Sequence, residues 1–180
     1  MGTEPGAGCS WICAHAAEIL ASQVSGSVCV VDCDLHTPTL QHEFQVGTHC
    51  GLADALVGNG SVRQYVQQLS RPNLWLLGSG ALSEDASFQA NPERMHQRLS
   101  ELRAEFDYIL VDSTPRSVNG DGLVLGAWSD GIVLVLKANS SHREAARSAL
   151  QELQAANVSV LGAVLNQRTF PIPKKIYSWL

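Results

Sequence analysis

The sequence predicts an α/β protein built on a doubly wound, mostly parallel sheet. Three observations lead there. Short apolar runs alternate with stretches of helical periodicity along the chain. The apolar runs are nearly continuous, as in strands covered on both faces. A glycine-rich loop near the amino end, PGAGCSW (5–11), opens directly onto a helical pattern. Sheets of this kind present loops to ligands in that way.

Taken in order, CSWICAHAAEILASQ follows the loop and reads as a helix. VCVVD (28–32) is the first full strand. Residues 37–72 are rich in turns and short helices, as an insertion near a switch region would be. LWLLG (74–78) and YILVD (108–112) are further strands, flanking PERMHQRLSELRAEF with apolar positions at helical spacing. IVLVLKA (132–138) and VLGAVLN (160–166) complete the set. Between them HREAARSALQELQAAN sets Ala and Leu on one face and charges on the other. No internal repeat or linker divides the chain, so a single domain over 1–180 is expected. A loop of this type normally follows a strand, yet only Met1 to Glu4 precede Pro5. Four residues are too few for a typical strand. The sheet is therefore expected to lack its first strand or to receive it from outside, and to associate through exposed strand edges.

Composition narrows the function. At 180 residues, with 45% apolar and 16% charged content, the chain is globular. A net charge of −5 argues against nucleic acid as the main partner. No apolar run has the length of a membrane span, and no signal-peptide pattern opens the chain. An intracellular protein with reduced thiols is expected, since the 5 cysteines leave one over. Cys29 and Cys33 fall at opposite ends of one strand, so the cysteines read as small buried residues rather than zinc ligands. The six histidines, His15, His36, His42, His49, His96 and His142, show no metal-binding spacing.

The loop carries the first chemical motif. A phosphate-binding loop reads as glycines, then Lys, then Ser or Thr at the start of a helix. Gly6, Ala7, Gly8 and Ser10 fit; Cys9 stands at the Lys position and Trp11 where a small hydroxyl residue is usual. The second motif is VVDCD, with Asp32 and Asp34 expected to share a strand face toward a magnesium–phosphate centre. The third is ILVDSTP, where Asp112 at a strand end would hold the magnesium water shell. Asn166 ends VLN, and its amide has the donor and acceptor to read an adenine edge. Arg116, just past the third motif, reads first as a solvated loop residue and second as a positive charge lent to the loop.

In this order and spacing, the motifs resemble the bacterial tyrosine kinases. These are cytoplasmic P-loop ATPases of capsule and exopolysaccharide assembly, related to the deviant-Walker ATPases of partitioning and division-site placement. The resemblance runs from about residue 4 to residue 169 and includes TPTLQHEF, GLADALVG, LWLLGSG, EFDYILVDSTP, SDGIVLVLKANSSHREAARSAL and VLGAVLNQR. It implies ATP or ADP with magnesium as ligand, a nucleotide held by Gly6, Ala7, Gly8, Cys9, Ser10, Trp11 and Asn166, and catalysis by Asp32, Asp34 and Asp112. Ser10, Asp34 and Asp112 would hold the magnesium. It further implies a membrane-bound polysaccharide co-polymerase as partner, a homo-oligomer, and a cytoplasmic location at the inner face of the membrane through that partner.

The departures are as informative. No Lys precedes Lys137, so neither the usual loop lysine nor an upstream signature lysine exists. His36 stands where the family has Arg, and the tail FPIPKKIYSWL offers Tyr177 alone where the kinases carry a tyrosine cluster. Losing one preorganised donor to the transition state costs ~10²–10³ in rate. Ground-state binding suffers less, because backbone N–H groups and the helix N-terminus still attract phosphate. The first expectation is thus a degenerate ATPase that regulates or scaffolds polysaccharide assembly. An active ATP-dependent tyrosine kinase is the second, and a partitioning-type localisation ATPase the third, its KKIYSWL tail a short interfacial anchor. Cys9 at a helix start reads first as an inert small residue and second as a low-pKa, redox-sensitive thiol.

Overall fold

A computed structural model describes residues 1–35, 37–47, 50–80, 92–113 and 121–169. The elements in chain order are α1 (Cys9–Gln23), β1 (Val28–Asp32), α2 (Leu40–Glu43), α3 (Leu52–Val57), a 3-10 turn (Val62–Tyr65), β2 (Gln67–Gln68), β3 (Leu74–Leu77), α4 (Pro92–Glu105), β4 (Tyr108–Asp112), α5 (Asp121–Ala127), β5 (Ile132–Lys137), α6 (Arg143–Ala155) and β6 (Val160–Asn166). All five strands read from apolar runs are present. The α/β architecture is the expected one.

β1 occupies the middle of a four-stranded sheet ordered β2-β3-β1-β4, parallel throughout except for the short β2. All five β1 residues are buried, which is why VCVVD shows no polar alternation. Alternate residues face different cores, as strand geometry requires. Val28 and Val30 pack with Ala14, Ala17 and Ala21 of α1. Cys29 and Val31 pack on the other side with Leu52 of α3 and Met95, Leu99 and Leu102 of α4. The small alanines let α1 lie close to the sheet. On the α3–α4 side, buried Arg98 donates from Nε to Ala55 O (2.8 Å) and from Nη2 to Gly58 O (2.6 Å), which ties the insertion to α4.

β5 and β6 pair in parallel as a separate two-stranded sheet, backed by Leu153 of α6. Here the fold differs from a continuous sheet. The segment before the loop supplies only a short parallel ladder on β5, with Gly2 level with Val135. Its rungs are Thr3 N–H to Val135 O (3.3 Å), Val135 N–H to Met1 O (2.9 Å) and the Met1 nitrogen to Val133 O (2.9 Å). Below Met1, β4 and β5 are separated by a cavity of about 470 Å³.

Three local readings are corrected. Asp34 is not on the strand: β1 ends at Asp32, whose Oδ1 accepts the Asp34 N–H (3.1 Å) and turns the chain. Cys50 is exposed rather than buried. The helix α5 was not foreseen, because its glycines mask a short helical pattern. His36, His49, Pro115, Arg116, Tyr177 and the KKIYSWL tail lie outside the described residues.

Candidate functional site

The carboxyl ends of β1 and β4 meet at one point, because the strands are parallel and in register, Asp32 beside Asp112. The glycine loop closes over this point. Gly6 and Gly8 have φ of 73° and 85°, a region that only glycine enters without strain. The helix begins at Cys9, and no side chain caps it. The N–H groups of Cys9, Ser10 and Trp11 precede the first intrahelical bond, from Ile12 N–H to Gly8 O (3.0 Å). Such a helix start presents amides and a positive dipole end to an anion.

Two side-chain amides fix the loop from behind. Asn166 Nδ2 donates to Ala7 O (2.9 Å) and Gln167 Nε2 donates to Gly6 O (2.9 Å). In this arrangement the Asn166 amide is engaged with the loop backbone, where the sequence suggested adenine. Gln167 was missed, and the polar pair following an apolar strand was its only signal. The two glycines consequently differ. A Cβ at Gly6 would meet nothing, whereas one at Gly8 would overlap the Asn166 amide. Gly6→Ala should therefore cost about 1–2 kcal/mol, from backbone strain alone. Gly8→Ala should cost more, and should also disorder the loop. Urea unfolding, with amide exchange at residues 6–11, measures both effects; equal costs would count against the Asn166 clamp.

In front of the loop lies a cavity of about 380 Å³, lined by Gly6, Gly8, Ser10, Trp11, Asp34, Thr37 and Ser113 among others. Its ionisable lining is acidic: Glu4, Asp34 and Glu43, with no Lys or Arg among the described residues. Asp34 is held by Thr37, which donates from N–H (2.9 Å) and Oγ1 (2.8 Å). The Glu4 carboxylate accepts from the hydroxyls of Ser141 (2.6 Å) and Ser140 (3.0 Å). These bonds, Ser141 first after which burial opposes them, keep its pKa below the ordinary value. Trp11 is exposed and stacks on His15, with ring centroids 3.9 Å apart.

The buried acids carry the strongest electrostatic signal. Burial, then the charge of Asp112, pushes the Asp32 carboxyl up to about 7. Burial likewise raises Asp112 to about 6, against the opposing influence of Ser10. Asp112 Oδ2 is buried without a hydrogen-bond partner. Carboxylate and hydroxyl oxygens from Asp112, Asp34 and Ser10 are the hard donors that magnesium takes, usually with waters retained. An orphaned buried carboxylate oxygen fits that ion. Burial raises the Cys9 thiol pKa against the lowering influence of the helix start, which favours the reading of Cys9 as an inert small residue over a low-pKa thiol.

No protein-family model matches the chain. Among curated proteins it is 30% identical over 162 residues to the tyrosine-protein kinase YwqD of Bacillus subtilis, covering 90% of this chain and 68% of that protein. It is 30% identical over 165 residues to the putative tyrosine-protein kinase EpsB of Ralstonia solanacearum, covering 92% of this chain but only 22% of EpsB. Among solved structures, the kinase domain of the Escherichia coli tyrosine kinase ETK superposes with a TM-score of 0.83 at 21% identity, covering 96% of this chain and 69% of that one. The septum site-determining protein MinD of Pyrococcus horikoshii, solved with Mg-ADP, superposes with a TM-score of 0.78 at 21% identity, covering 96% and 72%. At these identities the solved structures establish the fold.

Proposed function

Because the chain belongs to the family of bacterial tyrosine-protein kinases, we propose that it is a degenerate member, a regulator or scaffold in exopolysaccharide assembly with little or no phosphoryl transfer of its own. The observation that carries this reading is the loop cavity. It keeps the glycine geometry and the helix start, yet its described lining holds three acids and no cation. Phosphoryl transfer depends on positive charge at the transferring group.

The residues support residual binding of ADP or ATP with magnesium. Gly6, Ala7, Gly8 and the first amides of α1 would cradle the phosphates. Ser10, Asp34 and Asp112 would hold the metal, which when bound supplies charge neutralisation at the phosphates. Asp32 would act behind them by its charge. Asn166 would serve through the loop. A cytoplasmic place beside a membrane-bound co-polymerase, with self-association, belongs to this reading as the role of the family. No helix among the described residues is long and apolar enough to cross a membrane.

Isothermal titration with Mg-ADP and Mg-ATP, paired with a phosphate-release assay, tests the proposal. The expected result is binding no tighter than the micromolar range and no turnover above background. Robust hydrolysis, abolished by Asp112→Ala, would instead support the active kinase reading.

A further inference from the structure

Trp11 lines the loop cavity beside Gly8 and Ser10, and its side chain is 46% exposed. It belongs to none of the apolar cores among the described residues, so core packing does not account for the ring. Its own N–H is among those that precede the first intrahelical bond of α1. An anion held by these amides therefore lies beside the root of the indole. Helical side chains lean toward the helix N-terminus, which carries the ring toward the loop. His15, one turn further along, leans the same way and covers one face of the indole, with ring centroids 3.9 Å apart and planes 28° from parallel. His15 Nδ1 also lies 2.8 Å from Trp11 O, which ties the imidazole in place. The indole is thus backed on one face, and its exposure leaves the other face open. Two other features of the cavity bear on what that face meets. The Asn166 amide donates to Ala7 O (2.9 Å), and the ionisable lining is acidic. Phosphates alone gain little from charge here.

We infer that the open face of Trp11 is the seat of the nucleobase: a purine stacks on the Trp11–His15 pair while its diphosphate meets the first amides of α1. The inference rests on the residual nucleotide binding proposed above and names the residue that selects the ligand. Stacking requires neither a cation nor a hydrogen bond to the base edge, so it suits a cavity whose described lining has no cation. Every base offers a π-face, so stacking discriminates by ring area more than by edge chemistry. Purines are then favoured over pyrimidines, and adenine and guanine are nearly alike. The affinity that the loop forgoes at Cys9, where no charge reaches the phosphates, is partly restored at Trp11 through the base.

NMR titration of the full chain with Mg-ADP, Mg-GDP, Mg-UDP and magnesium pyrophosphate tests this, in the parent, Trp11→Leu and Trp11→Phe. The parent should bind Mg-ADP and Mg-GDP with similar affinity, and both more tightly than Mg-UDP. Trp11→Leu should weaken Mg-ADP binding roughly ten-fold and leave pyrophosphate binding as it was. Trp11→Phe should keep most of the Mg-ADP affinity, since a smaller ring still stacks. The adenine H2 and H8 resonances should move upfield on binding the parent, through the ring current of the indole, and should not do so with Trp11→Leu. An ADP-to-pyrophosphate affinity ratio equal in the parent and Trp11→Leu would overturn the inference, and so would tighter Mg-ADP binding by Trp11→Leu, which would make the ring an obstruction. A strong preference for ADP over GDP, or no binding of nucleotide at all, would overturn it too. Only diphosphates are used, so turnover does not enter these ratios. Phosphate release from ATP would overturn the proposed function and leave them unchanged.

Discussion

Replacing Asp32 by Asn should make the protein more stable at pH 8 and leave it unchanged or slightly less stable at pH 4.5. Burial, then the neighbouring Asp112, raises the Asp32 carboxyl from 3.8 to about 7. The folded state therefore binds more protons than the unfolded state between those values. Stability from this group is fully present below about pH 4 and is lost as pH rises through about 7. The displacement from 3.8 to about 7 corresponds to at most about 4 kcal/mol at alkaline pH. Asp112, raised to about 6, adds a slope of the same sign. Asn removes the buried charge but has a single acceptor oxygen. It cannot serve both N–H groups that Asp32 accepts, from Asp34 (3.1 Å) and Leu40 (3.3 Å). That loss offsets about 1–2 kcal/mol, leaving a net gain of about 2–3 kcal/mol at pH 8. Urea unfolding of both proteins from pH 4.5 to 8.5 measures this. A parent whose stability is flat across that range would refute it.

The second large effect is at the loop. Cys9→Lys should tighten Mg-ADP binding roughly ten- to hundred-fold, the value of a charge-assisted contact of about 1.5–3 kcal/mol. Cys9→Met is the control, similar in length but without charge, and should bind no better than the parent. The acidic lining makes the contrast large, because a lysine there faces Glu4, Asp34 and Glu43 as well as the phosphates. Hydrolysis requires more than the ion. Trp11 sits beside Ser10 in the lining, so Cys9→Lys with Trp11→Thr is the fairer trial for turnover. Titration calorimetry reads the affinities, and equal affinities for the Lys and Met variants would remove charge as the missing element.

What could be read in advance follows from how local each feature is. β1 and β4 were legible because each is written as an unbroken apolar run ending on its aspartate, although only β1 is buried along its whole length and β4 is exposed at Tyr108 and partly buried over 109–111. The meeting of Asp32 and Asp112 then follows from parallel register. Asp34 was misplaced because a hydrogen bond from its own N–H to Asp32 ends the strand, and periodicity carries no trace of that bond. The two-residue β2 has no periodicity at all. The chemistry of Asn166 was legible and its target was not. That target is a carbonyl at Ala7, 159 positions away in the chain, which reaches it only when the loop folds back over β6. The protonation of Cys9 is not legible from its place at a helix start, because burial decides it, and burial is a property of the packed fold.

The stack of Trp11 on His15 gives the molecule its own optical probe. The indole is 46% exposed at the rim of the loop cavity, its ring lies against the imidazole, and His15 Nδ1 lies 2.8 Å from Trp11 O. Trp75, by contrast, is packed under the Arg63 guanidinium at 3.8 Å, away from the loop. Emission from Trp11 should therefore respond to anything that enters the loop, while the other three tryptophans, Trp75, Trp128 and Trp179, supply the background that a Trp11→Phe variant isolates. Titrating Mg-ADP while recording fluorescence, with Trp11→Phe as the dark reference, would follow loop occupancy without label or coupled enzyme. The bulky residue that departs from the family pattern thus doubles as a spectroscopic handle on the site it crowds.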